Sequence, residues 1–125
     1  MSNLIQRYPS QALLPLSRAV KAGEFLFLSG QIPVGPTGEV ITGDIRDQTR
    51  AVCLRIGETL AACGASFEQV VKTTVWISDL RHFDSLNEVY QEFFGSNLPT
   101  RSTVVSGLVM GVDVEIEVQA FIGRS

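Results

Sequence analysis

Arg101 follows Leu98-Pro99-Thr100, so a guanidinium opens an extended segment directly after a rigid turn. Placed there, it can hold a carboxylate through two parallel N–H bonds. Glu115 and Glu117 share one face of an alternating stretch, ~6.8 Å apart by strand rise. A carboxyl of that pair set in a dry cleft has its pKa raised by desolvation and can exchange a proton near neutrality. The ordinary alternatives are a cross-strand ion pair of Arg101 with Glu115 or Glu117, and a solvated polar face. Ser29-Gly30-Gln31 ends an apolar strand, where glycine lets backbone N–H groups approach a ligand closely, or simply terminates the strand. Asn87 stands inside an apolar helical stripe, so its amide needs a buried partner, whether structural or part of a site.

Other reactive residues carry less. His82, the single histidine, reads as a solvated residue in a polar turn, and one histidine excludes multi-histidine metal sites. Lys72 lies inside a strand with no supporting motif for a Schiff base. Cys53 and Cys63 lie ten positions apart in what reads as one helix. That spacing is ~15 Å of rise, beyond the ~7 Å limit between Cα atoms of a disulfide, so both read as reduced structural thiols. No phosphate loop, dinucleotide fingerprint or metal-ligand spacing is present. Gly35-Pro36-Thr37-Gly38 lacks both the lysine and the strand–helix setting of a phosphate loop.

The elements that must position these groups follow from period. Arg18 to Lys21 leads through the turn Ala22-Gly23-Glu24 into Phe25-Leu26-Phe27-Leu28-Ser29, a hairpin whose second strand is apolar on both faces and so expects cover on both. The chain before it, interrupted by Pro9 and Pro15, reads as irregular, and Glu39-Val40-Ile41 as a short strand. Asp44 caps a helix over Ile45 to Cys63, with the stripe Ile45, Thr49, Val52, Ile56, Leu60, Cys63 and Gly64 as its stop. Val70 to Ile77 is β-branched and aromatic, hence a strand. Phe83, Leu86, Asn87, Tyr90, Phe93 and Phe94 mark a second helix closed by Gly95. Two strands end the chain, about Arg101 to Val105 and Val112 to Gln119. A reversal near 108 or 109 would set Arg101 and Thr103 opposite Glu115 and Glu117. This order predicts one α+β domain over residues 1–125, with two helices on one face of a single sheet. A second subunit is the simplest cover for the other face.

Composition sets the limits. The chain has 125 residues, 45% apolar and 18% charged, with a net charge of −3. One domain of this size buries a real core, and the scarcity of charge excludes a disordered chain. The negative balance matches a phosphate backbone poorly, so no nucleic-acid partner is expected. No apolar run of ~20 residues exists to span a membrane, and the start shows no secretory pattern. The cytoplasm is the expected compartment.

Several phrases together resemble one family. They are Phe27-Leu28-Ser29-Gly30-Gln31-Ile32-Pro33, Thr37-Gly38-Glu39, Gly43-Asp44-Ile45 with Gln48-Thr49, Val70-Val71-Lys72-Thr73-Thr74-Val75, Asn87-Glu88-Val89-Tyr90 with Phe93-Phe94, Pro99-Thr100-Arg101-Ser102, and Val114-Glu115-Ile116-Glu117. In order and at matching intervals, they resemble the RidA/YjgF reactive-intermediate deaminase family, also known as the liver perchloric-acid-soluble protein group. The resemblance implies a chorismate-mutase-like fold of the bacillus type, with a mixed sheet, and a homotrimer with clefts between subunits. It implies a hydrolase acting on C–N bonds, turning enamine/imine intermediates such as 2-iminobutanoate and 2-iminopropanoate into 2-keto acids and ammonia without a cofactor or metal. Arg101 would clamp the carboxylate of the imine substrate and Glu115 would activate water. Ser29 and Gly30 would line the cleft, with Asn87 beside it, and backbone near Thr103 would steady the tetrahedral intermediate.

The chain departs from the family pattern in places. Leu16-Ser17-Arg18 stands where many members have Tyr-Ser-Gln/His, and Thr103 replaces a cysteine. The segment from Ser106 to Val114 is a residue short. Leu16 points to a larger or more apolar acyl group, and Arg18 offers a contact for a second carboxylate. The alternatives are a deaminase of a ring-cleavage enamine such as 2-aminomuconate, and a non-catalytic trimer that binds small carboxylates. An endoribonuclease activity fits the charge and aromatic content poorly.

Overall fold

The computed structural model describes residues 4–123. Eight elements follow one another: β1 (Ile5–Pro9), β2 (Ser17–Ala22), β3 (Phe25–Leu28), α1 (Ile45–Ala62), β4 (Val70–Ile77), α2 (Phe83–Phe94), β5 (Thr100–Val105) and β6 (Val114–Phe121). The strands form one sheet in the order β1-β2-β3-β6-β4-β5. Only the β4–β5 pair is parallel, so the sheet is mixed. The α+β reading holds, and the two helices and both central strands lie where periodicity sets them.

Both helices cover one face. Val114, Ile116, Val118 and Ala120 of β6 are buried there with Val75 and Ile77 of β4, Leu26 and Leu28 of β3, and Val52, Ile56, Leu60 and Leu86 of the helices. α1 begins where the Asp44 carboxylate accepts the Arg46 N–H at 2.6 Å, satisfying one of the helix's orphan donors. It stops at Gly64, whose φ of +76° few side-chain-bearing residues adopt. Arg46–Glu88 and Arg50–Glu92 pairs link the two helices at 3.1 Å each, but they are half-exposed and contribute little beside the apolar seam.

Three expectations need correction. β1 pairs with β2, so the chain opens as a strand rather than irregularly. Around Val40 there is only an isolated bridge to Val34. In the single chain β3 is covered on its helix face, and Phe25 and Phe27 on the other face are 43% and 39% exposed. Most consequentially, β5 and β6 form no hairpin. β4 lies between them, with Thr73 beside Arg101 on one flank and beside Val118 on the other. The Ser106 N–H bonds to Ile77 O and the Ser78 N–H to Asp113 O, so both ends of the 106–113 connection tie to the end of β4. The signal was present in the sequence, because a strand–helix–strand unit favours a parallel β4–β5 pair, and parallel neighbours cannot be joined by a tight turn.

The face away from the helices is open in the single chain. It carries Phe25, Phe27, Phe121, Trp76 and Val104 beside Glu115 and Glu117. Among the described residues no helix is long and apolar enough to cross a membrane.

Candidate active site

Alternation decides where each candidate group lies. Arg101, Thr73 and Val118 form one row across β5, β4 and β6, and Thr73 and Val118 are buried under the helices. Arg101 therefore stands on the helix side of edge strand β5. Its guanidinium carbon lies 4.9 Å from the Tyr90 ring centroid and 5.6 Å from that of Phe83, both on α2. At that range the ring faces attract the cation. The Arg101 Nε donates to the Thr103 Oγ1 at 2.9 Å, which fixes the direction of the fork. Tyr90 is itself anchored by a 2.8 Å hydrogen bond between its hydroxyl and Thr73 Oγ1, and burial raises its phenol pKa.

No carboxylate among the described residues lies within 4.0 Å of Arg101. The guanidinium lines a cavity of about 340 Å³ with Asn87, Tyr90, Gln91, Leu98 and Pro99. Asn87 Oδ1 is buried and has no hydrogen-bond partner. A buried acceptor left unpaired costs free energy until a donor arrives, and Asn87 lines the same cavity as Arg101.

The second group lies on the other side of the sheet. Glu115 sits beside Trp76 on the open face, in register with Glu117 two residues on. Burial raises its carboxyl pKa, and the charge of Glu117 adds to the rise. Its side chain lies against Gly30, where a Cβ would collide with Oε2. Glycine at 30 is thus what admits the carboxylate. No partner for the Gly30 N–H occurs among the described residues, leaving a backbone donor beside the carboxyl. The Ser29 Oγ donates to Ser17 O at 2.6 Å and so is committed to holding this strand end.

The structure thus sorts the sequence-derived candidates into two sets. Arg101, Thr103 and Asn87 belong together, and Glu115, Gly30 and Ser29 belong together. The hairpin that would have faced Arg101 toward Glu115 or Glu117 does not exist, and the two sets occupy opposite faces of one sheet. Leu16 is half-exposed in the segment before β2. Arg18 is the unmatched residue where β1 and β2 slip register, and its Nε donates to Thr59 Oγ1 of α1 at 2.9 Å. His82 is not solvated: its side chain is 13% exposed, and Nε2 is buried 3.9 Å from the Asp113 carboxylate. The thiol of Cys53 is pushed up to about 12 by burial, and that of Cys63 is raised as well. Both are free, as expected. Phe83 and Tyr90 were missed as site residues, although their four- and three-residue spacing from Asn87 puts them on the stripe that singled it out.

The family model described as Endoribonuclease L-PSP matches residues 7–122. A RutC family protein of Pyrococcus horikoshii is 50% identical over 109 residues, covering 86% of each chain. The human 2-iminobutanoate/2-iminopropanoate deaminase is 37% identical over 130 residues, covering 98% of this chain and 95% of its own. Among solved structures, RidA from an Antarctic Psychrobacter superposes with a TM-score of 0.84 at 35% identity, covering 96% of this chain and 99% of that one. With a family match along almost its whole length and relatives of this similarity, the chain belongs to the RidA/YjgF family.

Proposed function

We propose that the protein is a hydrolytic deaminase of small carboxylate-bearing imines and enamines, working in clefts between the subunits of a homotrimer. Each cleft takes its anion clamp from one subunit and its water-activating carboxyl from the next. The observation that carries the reading is the Arg101 guanidinium. It is held by Thr103 and Tyr90, faces a cavity and lacks any carboxylate partner within 4.0 Å among the described residues. An oriented, unpaired fork is built for a carboxylate that arrives from solution. The relatives named as imine deaminases support the chemistry. The open sheet face supports the assembly, because exposed apolar area of that kind marks an interaction surface.

In this reading Arg101 pins the substrate carboxylate in the cavity that Asn87 also lines. An enamine first tautomerises to the imine. Water then attacks the imine carbon. As its oxygen forms the new bond, Glu115 takes a proton from it and the C=N electron pair moves onto nitrogen. Glu115 returns the proton to that nitrogen. The resulting carbinolamine collapses: its hydroxyl proton passes to nitrogen, the C–N bond breaks, and ammonia leaves a 2-keto acid. Holding the reactants is worth several kcal/mol of barrier, and proton transfer through Glu115 about 10²–10⁴ in rate.

The test is ammonia release from imines generated in situ from a panel of amino acids, with Arg101→Ala beside wild type. Loss of turnover in a variant that melts normally is expected. Full activity in Arg101→Ala would refute the clamp. Ligand binding without ammonia release would replace the enzyme by a carboxylate-binding trimer. Turnover confined to dicarboxylate enamines would favour the ring-cleavage substrate.

A further inference from the structure

We propose that Arg18 and Arg55 form a binding site for a small divalent oxyanion of the phosphate type, on the α1 side of the strand end that carries Gly30. The two guanidiniums close a ring of contacts. Arg18 donates from Nε to Thr59 Oγ1 at 2.9 Å. Arg55 lies one helical turn before Thr59 on α1, and residues so spaced are neighbours on a helix surface. Arg55 donates from Nε to Gln31 Oε1 at 3.1 Å. Gln31 Nε2 donates to Ser29 O at 3.0 Å, and the Ser29 N–H returns to Arg18 O at 3.2 Å.

The chemistry of the ring is one-sided. Both anchors, Thr59 and Gln31, are neutral and buried at 2% and 6% exposure. Each fork is therefore oriented through Nε alone, with its terminal nitrogens unspent. Those nitrogens make no hydrogen bond among the described residues, nor are they sealed from solvent. No carboxylate among the described residues lies within 4.0 Å of either guanidinium, and Glu58, three residues beyond Arg55 on α1, makes no such pair. The Cys63 thiol, whose protonated form burial favours, lies close enough to Arg18 to feel its charge and offers it no counter-ion.

Arg18 is tied to Thr59, one helical turn from Arg55, so two half-buried like charges sit at neighbouring turns of α1 without a counter-charge and repel one another. The complement is an anion with enough oxygens to serve both forks. A tetrahedral phosphate offers them, whereas a single carboxylate serves one fork well.

Isothermal titration of the intact protein with inorganic phosphate tests this, in chloride buffer of matched ionic strength. A second titration with glycerol phosphate separates free phosphate from phosphate carried on a metabolite. Saturable binding is expected, weakened at least tenfold in Arg18→Gln and in Arg55→Gln. Arg55→Lys, which keeps the charge but not the fork, should fall between. Arg101→Ala should bind phosphate as wild type does, which separates this site from the proposed clamp. Phosphate behaving like chloride, glutamine variants that bind undiminished, or binding lost in Arg101→Ala would each overturn the proposal. Tighter binding of glycerol phosphate than of phosphate would assign the site to a phosphomonoester.

Discussion

Arg101 and Glu115 point away from one another across the thickness of a single sheet. β4 separates their strands, and alternation sends one side chain under α2 and the other onto the open face. A proton donor and an anion clamp so placed cannot act on one small molecule within one chain. They can do so only if the open face of one subunit meets the β5 edge of another.

That separation makes the two variants complementary. Arg101→Ala and Glu115→Gln should each be inactive alone. Mixed, denatured and refolded together, they should recover about a quarter of wild-type ammonia release, since a random ring assembles that fraction of clefts from two intact halves. Zero recovery from a well-folded mixed trimer would return both residues to a single-chain site.

The helices, the long strands and the carriers of chemistry were legible because each rests on a local pattern. Ile45 to Leu60 repeats at the helical period, and Val114 to Ala120 alternates in and out. The partnership of Arg101 was not legible, because it depends on which strand lies beside which. The hairpin reading followed from adjacency in sequence. The parallel β4–β5 pair required weighing α2 as a crossover. The setting of Arg18 was not legible for a related reason. Plain alternation beside the buried Ala19 would aim it at the open face, but the slip in register at Tyr8 and Pro9 makes it an extra residue that turns to α1 instead.

Glu115 carries a pH signature. Burial first, and then Glu117, raises its pKa above the ordinary carboxyl value of 4.5. The unfolded chain therefore loses this proton first. Between the ordinary and the raised value the native state holds more protons, so stability falls as pH climbs through that window. Glu115→Gln should melt above wild type at pH 7 and converge on it near pH 3. The acid limb of kcat/KM should likewise sit above the ordinary carboxyl range in wild type. Melting curves for the pair that separate in the opposite sense would contradict the desolvated carboxyl.

Gly30→Ala separates geometry from folding. Gly30 is not among the glycines held at positive φ, so alanine costs little backbone strain there. Its Cβ would nonetheless strike the Glu115 carboxylate. The flexible end of Glu115 must swing aside, so turnover should drop by about the 10²-fold or more that general acid–base help supplies, while the melting temperature changes little. A variant with wild-type turnover would mean that the carboxylate need not lie over Gly30.

Gln48→Leu tests the network that ties α1 to the start of β6. Gln48 is buried at 1% exposure. Its Nε2 donates to Gly43 O at 3.1 Å and to Asp113 Oδ2 at 2.9 Å, while its Oε1 accepts the Asp113 N–H at 2.9 Å. Leucine keeps the bulk and abandons three partners, which costs about 1–3 kcal/mol and lowers the urea midpoint by about 1 M. Hydrogen bonds from Ser78 and then Gln48 hold the Asp113 carboxyl below its ordinary 3.8. That contribution is present above the ordinary value and disappears as pH falls through the lowered one. The deficit of Gln48→Leu should therefore be full at pH 6 and shrink below about pH 3. A deficit independent of pH would place the cost in the Gly43 and Asp113 backbone groups alone, and the Asp113 carboxylate would then owe its low pKa to Ser78 rather than to the amide.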